Sequence, residues 1–421
     1  MALRARRAGG RWGVVSRERF GRYSAAPTLR DPVWVHAVSL GETRAAQPLI
    51  RALLEEGENV LLTHLTVTGR DEGARAYAQE IKAGRLVQQW LPYDFPGATA
   101  RFLNCYRPVV GILIEREVWP NMLAAARVRA LPMMLVSARF SDHALRTVLR
   151  AGKVLQEAYA GLAAVHAQTL QDAQRLEQAG AVAVRVSGNF KFDVSIPAEQ
   201  VAKGQEFAAA LKRRIVTIAS TREGEDEMFV QAIRKQLGRA QAQGREPEQS
   251  VIYRLVPRHP QRFDSAAQLL NDAGLAYVRR SDTLVGGDCC ASAVRAARDA
   301  SVLLGDTVGE MVRHYASSQV AIIGGSFAPH GGQNLIEACA VGVPVIVGPH
   351  TRNFEQAVSD AIHEGAALRA PTAEAAMQLA LQLLDDPRRL AQMGEAGENW
   401  VRKHAGAVQR VMDSYRAITK R

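Results

Sequence analysis

Short apolar runs rich in β-branched residues recur along the chain, separated by stretches of helical length and pattern. The first series reads VWVHAV, NVLLTHL, VVGILI, LPMMLVSA, LAAVHAQ and RVSG. The second reads RIVTIAS, VIYRLV, AYVRR, SVLLGD, QVAIIGG and VPVIVG. Strands that alternate with helices are the signature of βαβ units, and unbroken apolar runs mark strands covered on both faces. Parallel sheets are therefore expected, and two series imply two Rossmann-like domains. A chain of 421 residues is also long for one hydrophobic core. The proline in FDVSIPAEQ, at 192–200, interrupts the pattern before a new helix. It sets expected domains of 1–195 and 196–421; the last helix is separately expected to return to the N-terminal one.

Composition narrows the class. An apolar content of 47% and a mean hydropathy of −0.12 describe a soluble globular chain. No apolar run approaches the roughly 18 residues of a spanning helix, and no signal-peptide core follows the arginine-rich start. Cys105, Cys289, Cys290 and Cys339 show no metal-ligand spacing, which argues for reduced structural thiols rather than zinc. The net charge of +11 is uneven: residues 1–195 carry 26 basic and 17 acidic side chains, and seven arginines fall within the first 23 residues. Such a segment can meet nucleic acid, anionic lipid or an acidic substrate, or can simply be solvated.

Parallel α/β sheets bind ligands beyond the carboxyl ends of their strands. The richest such place is QVAIIGGSFAPHGGQNLIEACAVGVPVIVGPHTRNF, at 319–354, where a strand ends in Gly324, Gly325 and Ser326. A glycine loop then leads to a helix expected to start at Asn334. Glycines allow close approach of backbone N–H groups to an anion, so a phosphate or carboxylate is the expected guest. The spacing matches neither GxGxxG nor a Walker A loop. Asn334 and Glu337 have capping-box spacing; Glu337 either caps or accepts from sugar hydroxyls. Asp306 in LGDTVGEM suits a helix start, and Ser220 and Thr221 in ASTREGE suit a cap or a ligand contact. In LVPRHPQRF two prolines pin Arg258 and His259 at a strand end, where Arg258 could grip a phosphate.

In the N-terminal half, LIEREVWPNML places Glu115 and Glu117 on one side of an extended chain and Arg116 on the other. LTHLTVTGRD brings Arg70, and GNFKFD brings Lys191, to further strand ends. Together they suit a polar, anionic acceptor. In VHAVSLGET, Ser39 and Glu42 also have capping-box spacing. A helix begun at Ser39 would carry Pro48 in its interior, whereas one begun near Gln47 would leave Glu42 in a loop. No DxD triplet, GxSxG elbow or HExxH is present, so no metal site is expected.

The tracts RERFGRY, HAVSLGE, LPYDFPGATARFL, EREVWPNM, GNFKFD, ASTREGE, VPRHPQRF, GDTVGEM, GGSF, GGQNLIEA and GPHTRNF resemble, in this order, those of 3-deoxy-D-manno-octulosonic acid (Kdo) transferases. That resemblance implies a GT-B fold, two Rossmann-like domains facing across a cleft, acting at the cytoplasmic face of the inner membrane in lipopolysaccharide synthesis. It implies CMP-Kdo as donor substrate, lipid IVA as acceptor, an anionic membrane surface as partner, no cofactor and no nucleic acid. Glu42 falls on the family's catalytic base. Gly324, Gly325, Ser326, Asn334 and Glu337 fall on the CMP-recognition block, joined on the donor side by Arg258, His259, Ser220, Thr221 and Asp306. Arg70, Glu115, Glu117 and Lys191 fall on the acceptor and reaction side.

This chain departs from the family pattern at Arg116, Arg222 and Gln333, and it shows no apolar anchor at its start. Residues 1–23 are therefore expected to lie in a membrane interface through Trp12, Phe20 and Tyr23. The expected reaction is an inverting, metal-independent transfer. Two rivals stay open: another GT-B enzyme, such as a nucleotide-sugar epimerase, and a non-catalytic polyanion binder. Turnover of a UDP-sugar would mark the first, and salt-sensitive binding without CMP release the second.

Overall fold

The computed structural model describes residues 16–23, 29–242, 251–283 and 291–419. Trp12, Cys289 and Cys290 lie outside these; Cys105 and Cys339 are free thiols. The chain forms two compact units, Met1–Asp193 with His404–Arg421, and Val194–Lys403.

The first unit holds a seven-stranded sheet of β1 (Val33–His36), β2 (Val60–His64), β3 (Leu86–Trp90), β4 (Val110–Ile114), β5 (Met133–Ala138), β6 (Ala164–Ala167) and β7 (Val184–Val186). Their order is β3-β2-β1-β4-β5-β6-β7, and every pairing is parallel. In register, Val33 lies between Val60 and Val110. The strand order reverses at β1 and β4, which makes their carboxyl ends the place where a doubly wound sheet opens a crevice.

Period-two alternation splits the core of this unit in two. Trp34, Leu61, Phe102 and Leu135 fill one face, while Val33, Val35, Leu62, Ile112 and Val136 fill the other. The second face is closed by helices Gln47–Glu55 and Ala407–Thr419, the latter burying Val411, Met412 and Tyr415. Asp193 anchors this C-terminal helix by accepting from the N–H groups of Gly406 and Val408, the latter at 2.6 Å.

The second unit repeats the architecture with β8 (Ile215–Thr221), β9 (Ile252–Pro257), β10 (Tyr277–Arg279), β11 (Val302–Leu304), β12 (Val320–Ile323), β13 (Val345–Val347) and β14 (Ala367–Arg369). The order is β10-β11-β9-β8-β12-β13-β14, again all parallel. Here the order reverses at β8 and β12.

The apolar runs did not reveal β3 or β14. β3 carries Gln88 and Gln89 in its middle, and β14 is a three-residue edge strand. The N-terminal segment also differs from expectation. Arg19 is buried, donates to the carbonyls of Leu65 and Leu91 at 3.0 Å, and stands 4.5 Å over the Trp90 ring. Tyr23 meets Tyr106 edge-on at 5.0 Å and packs against the core. Residues 16–23 therefore belong to the first unit, and Phe20 alone of the two expected interfacial rings in this stretch is exposed. Among the described residues no helix is long and apolar enough to cross a membrane.

Candidate active site

Glu42 lies just beyond β1, at the reversal of the first sheet. Ser39 caps a short helix, Leu40–Ala45, by accepting from the Glu42 N–H at 3.4 Å. The Glu42 carboxylate returns to accept from the Val38 N–H at 2.6 Å. This is a capping box drawn one residue further back than usual. Both helix starts considered for Pro48 occur, as two separate helices, so Ser39 caps without placing the proline in a helix interior. The first helix ends at Ala45, and Pro48 enters the second within its first turn, where its missing N–H breaks no helical bond.

The loop after β1 is held from β2. The Val38 carbonyl accepts from the Leu65 N–H, the Thr66 N–H and the Thr66 hydroxyl, at 3.0–3.2 Å. Thr66 then caps helix Val67–Ala76 by accepting from Gly69. A Cβ on Gly69 would sit 3.0 Å from the Ser39 carbonyl carbon, so glycine lets this helix approach the Glu42 loop.

Glu115 and Glu117 follow β4, the other strand of the reversal. Glu115 has φ of +62°, held by backbone bonds to Val136 and Arg139. Both glutamates are partly buried and Arg116 is exposed. Burial raises the Glu42 carboxyl to a pKa of about 7. The Val38 N–H and Arg116 oppose that rise, while the charges of Glu117 and Glu115 add to it. Burial likewise raises Glu117, against Arg116. A carboxylate with its proton balanced near neutral pH is a competent general base.

Arg70 and Lys191 do not share one grip. Arg70, on the helix after β2, lies 4.9 Å over the Trp90 ring; Lys191 sits in the 3-10 turn after β7. Five strand spacings separate β2 from β7, about 24 Å at roughly 4.8 Å each.

In the second unit the ends of β8, β9 and β12 are tied together. Gly324 N–H donates to Ala219 and Arg258 N–H to Thr221, at 2.7 and 3.0 Å. A Cβ on Gly324 would lie 2.7 Å from the Thr221 Cα. Thr221 and Ser326 are fully buried. The Ser326 hydroxyl donates to Ile323 and accepts from the Gly348 N–H, so it braces the loop. Ser220 is partly exposed with φ of +58°.

The expected anion cradle is already occupied in part. Glu225, buried at the start of helix Glu225–Ala242, accepts from the N–H groups of Gly325, Phe327, Ala328 and Arg222. Sequence reading passed over this residue, whose sign was its place three positions after Arg222 at a strand-to-helix turn.

The helix expected from Asn334 begins only at Ile336 and has five residues. Asn334 instead accepts from the Ile336 N–H at 3.0 Å and donates to the Glu337 carboxylate at 3.1 Å. Burial raises the Glu337 pKa, against Asn334 and the positive charge of Arg258. His259 is lowered by burial and by Arg222 and Arg258. Asp306 caps no helix: it pairs with Arg279 at 2.7 Å and accepts from the Ser281 N–H and hydroxyl. Arg258, His259, Asn334 and Glu337 are thus partly exposed at this edge, as are Ser220, Arg222 and Gln333.

Residues 15–194 match the family model described as 3-deoxy-D-manno-octulosonic-acid transferase (kdotransferase), and residues 291–400 match glycosyl transferases group 1. A curated Bordetella pertussis 3-deoxy-D-manno-octulosonic acid transferase is 56% identical over 98% of this chain and 94% of its own length. A Haemophilus influenzae protein of the same name is 29% identical over 96% and 91%. The solved structure of Acinetobacter baumannii MurG covers 93% of this chain and 100% of its own at a TM-score of 0.52 and 14% identity, a likeness of fold alone. Two parallel Rossmann-like sheets, a GT-B fold and a relative more than half identical along nearly all of both chains lead to one conclusion: this chain belongs to the Kdo transferase family of glycosyltransferases.

Proposed function

We propose that the chain transfers Kdo from CMP-Kdo to a hydroxyl of lipid IVA in one displacement with inversion, without a metal or cofactor. The observation that carries this is Glu42: a partly buried carboxylate, fixed by the Val38 N–H, at the reversal of the first sheet and balanced near pH 7. In this reading Glu42 takes the acceptor hydroxyl's proton as its oxygen attacks the anomeric carbon. The bond to the CMP phosphate breaks, and CMP leaves with the electron pair. Arg258 meets the growing phosphate charge, and Glu337, kept in place by Asn334, accepts from donor hydroxyls. His259 and Ser220 complete the donor edge, while Thr221, Ser326, Gly324, Gly325 and Asp306 hold its shape.

The wide spacing of Arg70 and Lys191 suits an acceptor as large as a lipid-linked disaccharide with separate anionic groups. Burial, with the charges of Glu117 and Glu115 adding to it, keeps Glu42 protonatable at neutral pH. The membrane partner is an anionic surface at the inner face of the inner membrane. Leu149 and Val154 support it: both are exposed on consecutive helices, beside Arg146, Arg150 and Lys153.

The test is incubation with CMP-Kdo and lipid IVA, with products weighed by mass spectrometry. Glu42→Gln should lower kcat by about a thousandfold, the range of a lost general base, while remaining folded. Activity within tenfold of the parent in a folded Gln variant would overturn the assignment of the base. Turnover abolished by EDTA and restored by a divalent ion would overturn the metal-free mechanism.

A further inference from the structure

The Val38 N–H that holds Glu42 belongs to a peptide group engaged from its other side as well. The Ala37 carbonyl of that same peptide lies 3.0 Å from Nδ1 of His64, the last residue of β2. His64 is fully buried. Its Nε2 lies 2.9 Å from the side-chain amide nitrogen of Gln88 on β3, which also donates to the Arg70 carbonyl at 3.1 Å.

These partners determine the tautomer. A carbonyl only accepts, so His64 Nδ1 carries the hydrogen. The Gln88 group that reaches the Arg70 carbonyl is its NH2, so His64 Nε2 accepts from it and stays unprotonated. A second proton on the ring would face that NH2 directly. One polar chain results: Gln88 donates to His64, His64 to the Ala37 carbonyl, and the Val38 N–H to Glu42.

We propose that His64 is a positioning residue for the transfer reaction, acting on Glu42 through the peptide that joins Ala37 to Val38. A hydrogen bond to an amide oxygen polarises the amide and strengthens its N–H as a donor. The imidazole therefore favours the ionised form of Glu42, and it stops the peptide from rotating that N–H away. This opposes the burial that raises Glu42. Burial also lowers His64 to a pKa of about 4, so it stays neutral across the working range. The other charges facing Glu42 are Glu115, Arg116 and Glu117 beyond β4; on its own helix Arg44 is paired with Glu72 at 3.0 Å. His64 is faced by Arg70 and by the neutral, buried His36.

This inference rests on Glu42 being the base, and the experiment separates the two. In the full chain, kcat and KM are measured across pH for the parent, Glu42→Gln, His64→Leu, His64→Asn and Gln88→Met. His64→Leu should lower kcat about tenfold with both KM values within about twofold, and should move the acid limb of kcat to higher pH. Asparagine places an N–H donor near the position of Nδ1 and should restore most of both. Gln88→Met should move the limb in the same direction by less, and it carries the test if His64→Leu does not fold. An unmoved limb, or an Asn variant no better than Leu, overturns the role of His64 while an inactive Glu42→Gln leaves the base in place. An active Glu42→Gln overturns both.

Discussion

Glu42 combines two roles that compete in most glutamates. Its backbone and carboxylate close a capping box, and the same burial that makes the box tight keeps its proton balanced near neutral pH. A carboxyl raised from its unfolded value to about 7 binds a proton in the folded state that the unfolded chain has released. The stability it confers is full below the unfolded pKa and is lost as pH rises through 7. Glu42→Gln should therefore gain stability over the parent by about 2 kcal/mol between pH 5 and 8.5, from roughly 1.4 kcal/mol per pKa unit. A stability difference that stays flat with pH, by denaturant titration, would show that Glu42 ionises as it does in water. The cap was legible from Ser39 and Glu42 alone. The tuning was not, because the burial that dominates it, and the nearby charges of Glu117 and Glu115 that add to it, arise only from the strand order, which no local pattern encodes.

At the level of elements, the loop after β12 shows how a glycine-rich turn can be read chemically and still misassigned. Its N–H groups do converge on a carboxylate, but that carboxylate is Glu225 of the same unit. Two N–H groups meet each oxygen, so the loop is set before any donor arrives. Glu225→Gln offers one oxygen and places an NH2 against the remaining donors; it should cost at least about 3 kcal/mol of stability. A loss below about 1 kcal/mol in urea unfolding would mean that the loop keeps its form unaided. Other elements hid for plainer reasons. Gln88 and Gln89 mask β3, and Asn334 marks an Asx-type turn that looks like a helix start. The apolar runs such as VVGILI and QVAIIGG became central parallel strands as expected, because burial on both faces leaves little choice of residue.

Over the whole molecule, the excess of positive charge in the first 195 residues takes on a local meaning. Seven arginines precede Tyr23, yet Arg19 among them is a buried brace over Trp90, not a surface charge. The better candidate for contact with lipid is the pair of helices Asp142–Ala151 and Lys153–Ala160, where Leu149 is 49% and Val154 66% exposed beside three cations. The double change Leu149→Glu and Val154→Glu should weaken binding to phosphatidylglycerol-rich vesicles by about tenfold or more, since it removes apolar contact and adds repulsion. Unchanged co-sedimentation would place the contact elsewhere. Neither the exposure of Leu149 and Val154 on either side of Gly152, which separates the two helices, nor the burial of Arg19 was visible in composition, which counts charges without regard to where they point.

The return of the C-terminal helix gives the chain an order of completion during synthesis. Residues 194–403 form one uninterrupted unit, whereas the first unit lacks Val411, Met412 and Tyr415 until the end of the chain has been made. At roughly 5–20 residues per second, the intervening 210 residues take about 10–40 s. Through that interval the ribosome has delivered every strand of the first sheet, and Val33, Val35 and Ile112 still await their C-terminal cover. The first unit is thus completed after the second, which its sequence encloses, and a chain cut before Ala407 has a finished second unit and an unsealed first.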